Sequence, residues 1–177
     1  GKNGEEFGLF KFVTMVKDSP NQGAGDITLK NDPRVLPFGK ILRKLKLNEF
    51  PQFINVILGD MSLVGPRPLV KNQYNMIPKE SQIIINKLKP GITGIGSIIF
   101  RDEESFLKNN KDRSNTIYRD EIIPFKANLE CWYYNNQSIL NDLILILITI
   151  IIIFFPNTKI YNKIFPNIPI NEKYNPN

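Results

Sequence analysis

Apolar residues recur at every third or fourth position between Pro37 and Gly59, and this spacing predicts two short amphipathic helices. The apolar positions of the first are Phe38, Ile41, Leu42 and Leu45, and its basic positions are Lys40, Arg43 and Lys44. The apolar positions of the second are Phe50, Phe53, Ile54, Ile57 and Leu58. Asn48 is a suitable N-cap for the second helix, Pro51 fits its first turn, and Gly59 is placed to end it.

The rest of the pattern predicts an α+β fold, a helix-rich single domain with a few short strands. Residues 7–16, rich in Phe, Val and Thr, are predicted to form one strand, and residues 95–100, after a turn at 89–94, a second. Helices are predicted near residues 78–88 and at 121–137, the latter amphipathic. The turn-rich segment 19–32 and the charged segment 101–120 are predicted to be surface loops.

A run of apolar residues occupies positions 143–155 and stops at Pro156. It is shorter than the roughly 20 residues that a helix needs to cross a bilayer, so a buried helix, a buried strand or an interfacial segment fits it better. Trp132, Tyr133 and Tyr134 fit the protein core or a membrane interface, with the core somewhat favoured. The Asn- and Pro-rich tail, residues 156–177, is expected to be extended and weakly ordered.

Composition restricts the chemistry. The chain of 177 residues has no histidine and one cysteine, which excludes Ser-His-Asp triads, Cys-His pairs, zinc fingers and disulfide frameworks within it. Carboxylates, Lys, Arg and hydroxyls remain, and a Mg²⁺ ion bound by carboxylates and substrate phosphates fits this set best. The net charge of +6 favours an anionic partner such as phosphate, nucleic acid or an acidic membrane surface.

Two positions are candidates for phosphate binding. Asn48 and Glu49 stand at a predicted helix start, where free N–H groups and the helix dipole suit phosphate, although on pattern alone simple capping and complementation of the dipole are favoured. Arg67 lies between two prolines, which stiffen its backbone and favour a bidentate grip on phosphate. Asp60 could hold Arg67 or a cation, and a plain structural turn with an Arg–Asp pair is the alternative.

Several segments resemble the bacterial sugar transferases, the small monotopic polyprenyl-phosphate phosphoglycosyl transferases. The resemblance covers residues 1–155 and lies in "GKNGEEFGLFKFVTM", "ITLKNDPRVLPFGKILRKLKLNEFPQFINVILGDMSLVGPRP", "LKPGITGIG" and "LECWYYNNQSILNDLILILITI". It implies a catalytic domain over 1–155 that follows an upstream membrane-entering helix absent from this chain. It also implies location at the cytoplasmic face of the inner membrane.

The resemblance further implies transfer of a phosphosugar from a nucleotide diphosphate sugar, usually UDP-linked, to polyprenyl phosphate. UMP is released, Mg²⁺ is the cofactor, and the product enters exopolysaccharide, O-antigen or capsule synthesis. By this resemblance the catalytic positions are Asn48 and Glu49, and the metal-binding residues are Glu49 and Asp60. The substrate-binding residues would be Lys11, Arg34, Arg43, Lys44 and Arg67.

The chain departs from the family pattern in two places. Asn48 replaces the Asp of an adjacent Asp-Glu pair, and Val13 replaces an Arg. An amide is a far poorer nucleophile than a carboxylate, so the family's covalent route through position 48 is in question. The alternative is a catalytically impaired homologue that binds lipid phosphate or acts as a scaffold. A nucleic-acid-binding module ranks low, because no basic run or nucleic-acid motif is present.

Overall fold

The computed structural model describes residues 1–22, 28, 31–103 and 114–174. Helices predominate in the described residues, and the α+β class is confirmed. The helices are α1 (Pro37–Lys44), α2 (Gln52–Leu58), α3 (Lys71–Tyr74), α4 (Lys79–Ile85), α5 (Ile95–Ile99), α6 (Ser114–Ile117), α7 (Ile123–Asn136), α8 (Ile139–Phe154) and α9 (Ile160–Ile164). A π-helical turn, Tyr118–Ile122, joins α6 to α7, and 3-10 turns form at Lys2–Gly4, Ser19–Asn21 and Leu47–Glu49.

Two short parallel strands, β1 (Ser62–Val64) and β2 (Gly91–Thr93), pair with Ser62 opposite Gly91 and Val64 opposite Thr93. Their loops approach so closely that only glycine fits. A Cβ on Gly91 would lie 2.1 Å from the Gly65 nitrogen, and one on Gly94 would lie 2.3 Å from the Gly65 oxygen. The segment Gly65–Pro68 is therefore held directly against the backbone that follows α4.

The two helices predicted from the repeat between Pro37 and Gly59 are confirmed as α1 and α2. Gly59 ends α2 in the left-handed conformation, with φ of 88°. In an ordinary core helix the apolar side is buried and the polar side is exposed, and here the arrangement is the reverse. Helix α2 buries Gln52 and Asn55, while Ile57 is 84% exposed and Phe38 of α1 is 68% exposed. The apolar sides of these helices therefore lie on the outer surface.

The core lies between α4, α5, α7 and α8. Helix α7 is predicted as amphipathic but is buried on most of its circumference, with Leu129 and Tyr133 almost fully buried. Trp132 and Tyr134 pack against the same cluster, which confirms the favoured core interpretation of these aromatic residues. The helix predicted near residues 78–88 is confirmed as α4.

The apolar run at 143–155 is helical, as part of α8, and half of it is buried. Leu145, Ile148 and Ile152 face the core, and Thr149 Oγ1 lies 2.6 Å from Thr93 Oγ1 of β2. Its opposite side exposes apolar residues, including Leu147. Across the ranges that the structure describes, no helix is both long enough and apolar enough to span a bilayer.

The strand predicted at residues 7–16 is wrong. This segment is extended, but its one bridge is an isolated antiparallel contact between Met15 and Val35. Its backbone hydrogen bonds go to scattered partners. Asn55 Nδ2 donates to Gly8 O at 2.8 Å and Asn55 Oδ1 accepts from Phe10 N at 3.0 Å, while Phe12 N donates to the Asn48 carbonyl at 3.0 Å. A buried amide and loop carbonyls therefore take the place of a neighbouring strand.

Two other predictions are also wrong. Residues 95–100 are not a strand: the strand is Gly91–Thr93, within the predicted turn, and the following apolar residues form α5. The predicted loop at 101–120 is helical from Ser114 onward, while its part at 104–113, like 23–27 and 29–30 of the loop predicted at 19–32, lies outside the described residues.

The tail is not extended and weakly ordered over its described part, residues 156–174. It forms the short helix α9 and buries four large side chains in the domain core. These side chains are Tyr161, Phe165, Ile168 and Tyr174. Aromatic residues spaced along an Asn- and Pro-rich segment gave this tail enough apolar area to pack.

Candidate functional site

Arg67 and Glu49 form a bidentate pair at the centre of the candidate site. Arg67 Nη1 donates to Glu49 Oε2 at 3.1 Å, and Arg67 Nη2 donates to Glu49 Oε1. Glu49 ends the 3-10 turn before α2, and Arg67 lies between Pro66 and Pro68 just after β1. The Arg67 side chain is 47% exposed, so its guanidinium is accessible to a bound anion.

Other cations surround Glu49. Burial acts to raise the pKa of the Glu49 carboxyl, but Arg67, then Lys46 and Lys11, outweigh burial and lower it. Burial acts to lower the pKa of Arg67, and the Glu49 carboxylate more than offsets it, so the net change is upward. Both groups are therefore ionised at neutral pH. Lys46 has a lowered pKa because desolvation and then Arg67 disfavour its charged form.

A second charged pair lies beside the first. Lys126 Nζ of α7 is 2.7 Å from Glu103 Oε2 and 5.1 Å from the centre of the Phe100 ring. Desolvation lowers the pKa of Lys126, Glu103 acts in the opposite direction, and Arg67 lowers it further. Glu103 in turn contributes to the raised pKa of Arg67. The two pairs are thus electrostatically linked and form one site, which we call the charged corner: Lys11, Lys46, Glu49, Arg67, Glu103 and Lys126.

A pocket with a cavity volume of about 90 Å³ opens behind the charged corner. Its polar lining residues include Arg67, Lys126, Ser97, Glu130 and Asn86, and its remaining walls are mostly apolar. Glu130 is buried, and burial raises its pKa to about 7 against the effects of the Gly96 N–H and Lys126. A Cβ on Gly96 would lie 2.5 Å from Glu130 Oε1, so glycine is required for this contact.

The prediction that Asn48 caps α2 is wrong. Asn48 lies inside the 3-10 turn Leu47–Glu49, and Pro51 occupies the N-cap position. The Asn48 carbonyl accepts from Phe12 N at 3.0 Å, while its side-chain Oδ1 is buried without a hydrogen-bond partner in the described residues. An uncompensated amide oxygen next to Glu49 is thus available to a ligand.

Of the remaining predicted residues, Lys11 acts on Glu49, whereas Arg34 and Arg43 have other partners. Arg34 is buried and pairs with Asp32, and it also donates to the carbonyls of Ser19 and Gln22. Arg43 Nε donates to Thr14 Oγ1 at 3.0 Å. Lys44 is exposed in the last turn of α1.

The expected pairing of Asp60 with Arg67 is wrong. Asp60 Oδ2 accepts from Asn55 Nδ2 at 3.2 Å, and the partner of Arg67 is Glu49. Sequence spacing could not show whether Glu49 or Asp60 pairs with Arg67. The tertiary fold decides it, because it brings the turn Leu47–Glu49 against the segment after β1. Glu103 and Lys126 were missed altogether, because nothing in their local sequence marks them as part of a site.

In the described part of the chain, no group of three acidic or cysteine side chains could hold a metal ion. Mg²⁺ does not need such a group, since it is often bound by one or two carboxylates together with substrate phosphates. The donors that fit this mode are Glu49 and the unpartnered Asn48 Oδ1. Asp60 Oδ2 accepts a hydrogen bond from Asn55 Nδ2, and metal binding by Asp60 stays a prediction.

Fold and site together define a class of protein: an α+β domain with a cluster of cationic side chains beside exposed apolar helices. The model of the bacterial sugar transferase family matches residues 1–156, and the chain belongs to this family. "Uncharacterized sugar transferase EpsL" of Bacillus subtilis is 35% identical over 150 residues, which cover 85% of this chain and 64% of EpsL.

Two other relatives have more specific names. The "undecaprenyl-phosphate galactose phosphotransferase" of Salmonella typhimurium is 32% identical over 157 residues, covering 81% of this chain and 29% of that protein. The "UDP-galactose-lipid carrier transferase" of Erwinia amylovora is 30% identical over 164 residues, covering 85% of this chain and 31% of that protein. The chain therefore spans less than two thirds of the length of each of these relatives.

Proposed function

We propose that this chain is the transferase domain that moves a phosphosugar from a UDP-sugar to polyprenyl phosphate and releases UMP, in the synthesis of a bacterial surface glycan. The observation that carries the proposal is the half-exposed Arg67–Glu49 pair with Lys11 and Lys46 around it. The names of the two relatives with UDP-galactose and undecaprenyl phosphate in their titles support the same substrates.

The charged corner suits phosphoryl transfer, in which positioning and electrostatic stabilisation supply most of the catalysis. A diphosphate would compete with Glu49 for the two Arg67 donors, while Lys46 and Lys11 neutralise its remaining charge. An oxygen of polyprenyl phosphate then attacks the phosphorus that carries the sugar. The bond from this phosphorus to the bridging oxygen breaks, and UMP leaves with that oxygen.

Asn48 shapes the route of this reaction. Because its amide cannot replace a carboxylate as a nucleophile, we propose direct attack by polyprenyl phosphate rather than a covalent intermediate at position 48. Mg²⁺, when bound with the substrate, would be held by Glu49 and Asn48 Oδ1 and would neutralise diphosphate charge. Direct attack predicts that UMP is released only after polyprenyl phosphate has been added.

The exposed apolar side of α1 and α2 supports the lipid half of the proposal. We call this surface the apolar face: Phe38, Ile41, Leu45, Phe50, Phe53, Ile54, Ile57 and Leu58. Basic residues of α1 lie beside it, and an apolar side bordered by basic residues is typical of helices that lie in a membrane interface. We propose that this face inserts into the inner membrane at its cytoplasmic side, where it would bring the charged corner to a lipid phosphate.

The test is UMP release by the complete protein with a panel of UDP-sugars, Mg²⁺ and polyprenyl phosphate. Glu49→Gln should abolish turnover, since it removes the charge that holds Arg67 in place. Glu80→Gln, at an exposed glutamate in the first turn of α4, should leave turnover unchanged. Absence of UMP from the natural sequence with every sugar would overturn the proposal.

The second candidate is a homologue that binds lipid phosphate without turning over, and Asn48 is the observation that favours it. In this case Asn48→Asp would gain UMP release that the natural sequence lacks. Polyprenyl phosphate binding would be similar in both proteins. The pair of measurements separates the two candidates.

A further inference from the structure

The described part of the tail packs into the domain core, although it lies outside the family match at residues 1–156. Its two ends are anchored on different parts of α7. Phe165 contacts Trp132 edge to face, with ring centres 5.3 Å apart. Tyr174 is buried beside Glu121 of the π-helical turn that precedes α7, and its hydroxyl donates to Glu121 Oε2 at 2.9 Å.

The Tyr174 anchor reaches the charged corner through one ring. Tyr174 contacts Phe100 with ring centres 5.2 Å apart and stacks on Phe125 at 6.2 Å. Phe100 is the same ring over which the Lys126 ammonium lies, and Phe125 precedes Lys126 in α7. Tyr174 therefore packs against a ring that the Lys126 ammonium contacts and against the residue that precedes Lys126 in α7.

Lys126 in turn adjoins the Arg67–Glu49 pair. Its ion pair with Glu103 lies close to Arg67: Glu103 acts to raise the pKa of Arg67, and Arg67 acts to lower the pKa of Lys126. Among the described residues, the ring contact of Phe165 is with Trp132, six positions after Lys126 in α7. A comparison of Phe165 with Tyr174 thus separates general packing of the tail from a specific effect on the charged corner.

We propose that Tyr174 is a positioning residue: through Phe100 and Phe125 it fixes Lys126 at the edge of the charged corner, so that the tail takes part in binding the anionic substrate. The part concerning substrate rests on the proposed function. The positioning itself does not, because it concerns only the contacts between Tyr174, the two phenylalanine rings and Lys126.

The first experiment measures the position of Lys126 without any substrate. The complete protein is treated briefly with an amine-acetylating reagent, and modification of Lys126 is quantified by mass spectrometry relative to the exposed Lys71. Tyr174→Ala should raise the rate at Lys126 by about fivefold, the factor expected when loss of an aromatic contact favours local opening. Tyr174→Phe keeps the rings and should behave as the natural protein does.

Phe165→Ala is the matched control, since it removes a different buried aromatic side chain of the tail and leaves the contact between Tyr174 and Phe100 intact. An equal rise at Lys126 in Phe165→Ala and Tyr174→Ala would show general loosening and overturn the proposal. An unchanged rate in Tyr174→Ala would overturn it as well.

The second experiment measures UMP release. Tyr174→Ala should raise the KM for the UDP-sugar by about fivefold with little change in kcat, whereas Phe165→Ala and Tyr174→Phe should not. If Lys126 labelling changes as expected but the natural protein releases no UMP, the proposed function fails and the positioning stands. If UMP release is normal and KM is the same in all variants, the role of Tyr174 in substrate binding is refuted.

Discussion

Glu130 is buried in α7, and its raised pKa predicts a specific loss of stability as the pH rises. Below its ordinary pKa of 4.5 the carboxyl is protonated in both the folded and the unfolded chain. Between 4.5 and about 7 the unfolded chain releases this proton while the folded chain keeps it, so the free energy of unfolding decreases with pH. Above about 7 this decrease is complete.

The size of the effect follows from the two pKa values. Their difference is about 2.5 pH units, and at about 1.4 kcal/mol per unit this corresponds to an upper bound near 3.5 kcal/mol. Glu130→Gln removes the titration but keeps an oxygen that can accept from the Gly96 N–H. The variant should therefore gain up to about 3.5 kcal/mol relative to the natural protein between acidic and mildly alkaline pH.

Urea unfolding of the complete protein, followed by circular dichroism from about pH 4 to about pH 8.5, measures this difference directly. Glu80→Gln serves as the control, because Glu80 is exposed, and its curve should run parallel to that of the natural protein. A Glu130→Gln curve that is also parallel to the natural one would refute the argument. A difference that grows toward acidic pH would refute it too, since the sign would be reversed.

Three further predictions concern the charged corner, the strand loops and the apolar face. Arg67→Lys cannot form the bidentate pair and should lower kcat/KM by about thirtyfold, equivalent to about 2 kcal/mol for a charge-assisted contact, as measured by UMP release. Gly91→Ala should lower the thermal unfolding midpoint sharply because its Cβ would meet backbone atoms, whereas Gly8→Ala, with open space around it, should not. Ile57→Glu should weaken salt-resistant binding to anionic lipid vesicles. Ile83→Glu, at an exposed apolar residue of α4 outside the apolar face, should leave this binding unchanged.

Sequence periodicity predicted α1 and α2 because their apolar residues repeat at helical spacing. The same pattern could not show which way those residues face, and α2 in fact buries Gln52 and Asn55. The amphipathic repeat indicates that one side of the helix is apolar, but it does not distinguish contact with a protein core from contact with another apolar environment. Burial of polar residues in the structure makes that distinction.

The strand predicted at residues 7–16 failed for a related reason. Its Phe, Val and Thr content favours extended backbone, and the backbone is indeed extended, but a strand also needs a partner. Asn55, more than 40 residues away, supplies two of the hydrogen bonds instead, and main-chain groups of distant loops supply others. A long-range side-chain contact of this kind leaves no local signal in the sequence.

The candidate site was predicted in part. Glu49 and Arg67 were each singled out from their local setting, but their pairing was not, because Asp60 was nearer to Arg67 in sequence. Lys126 belongs to the site only because α7 packs against α4 and α5, which brings its side chain to Glu103. Such contacts depend on the tertiary fold, which short motifs do not determine.

The glycine contacts between Gly65 and the residues around β2 have a consequence for how this scaffold can diversify. Arg67 is anchored by main chain lying on main chain, with no intervening side chain to be exchanged. Neighbouring wall residues such as Leu69 or Tyr74 can therefore be replaced during evolution while the guanidinium keeps its place. Under the proposed function, selectivity for different donor sugars can change through these wall residues while the main-chain contacts that place Arg67 stay the same.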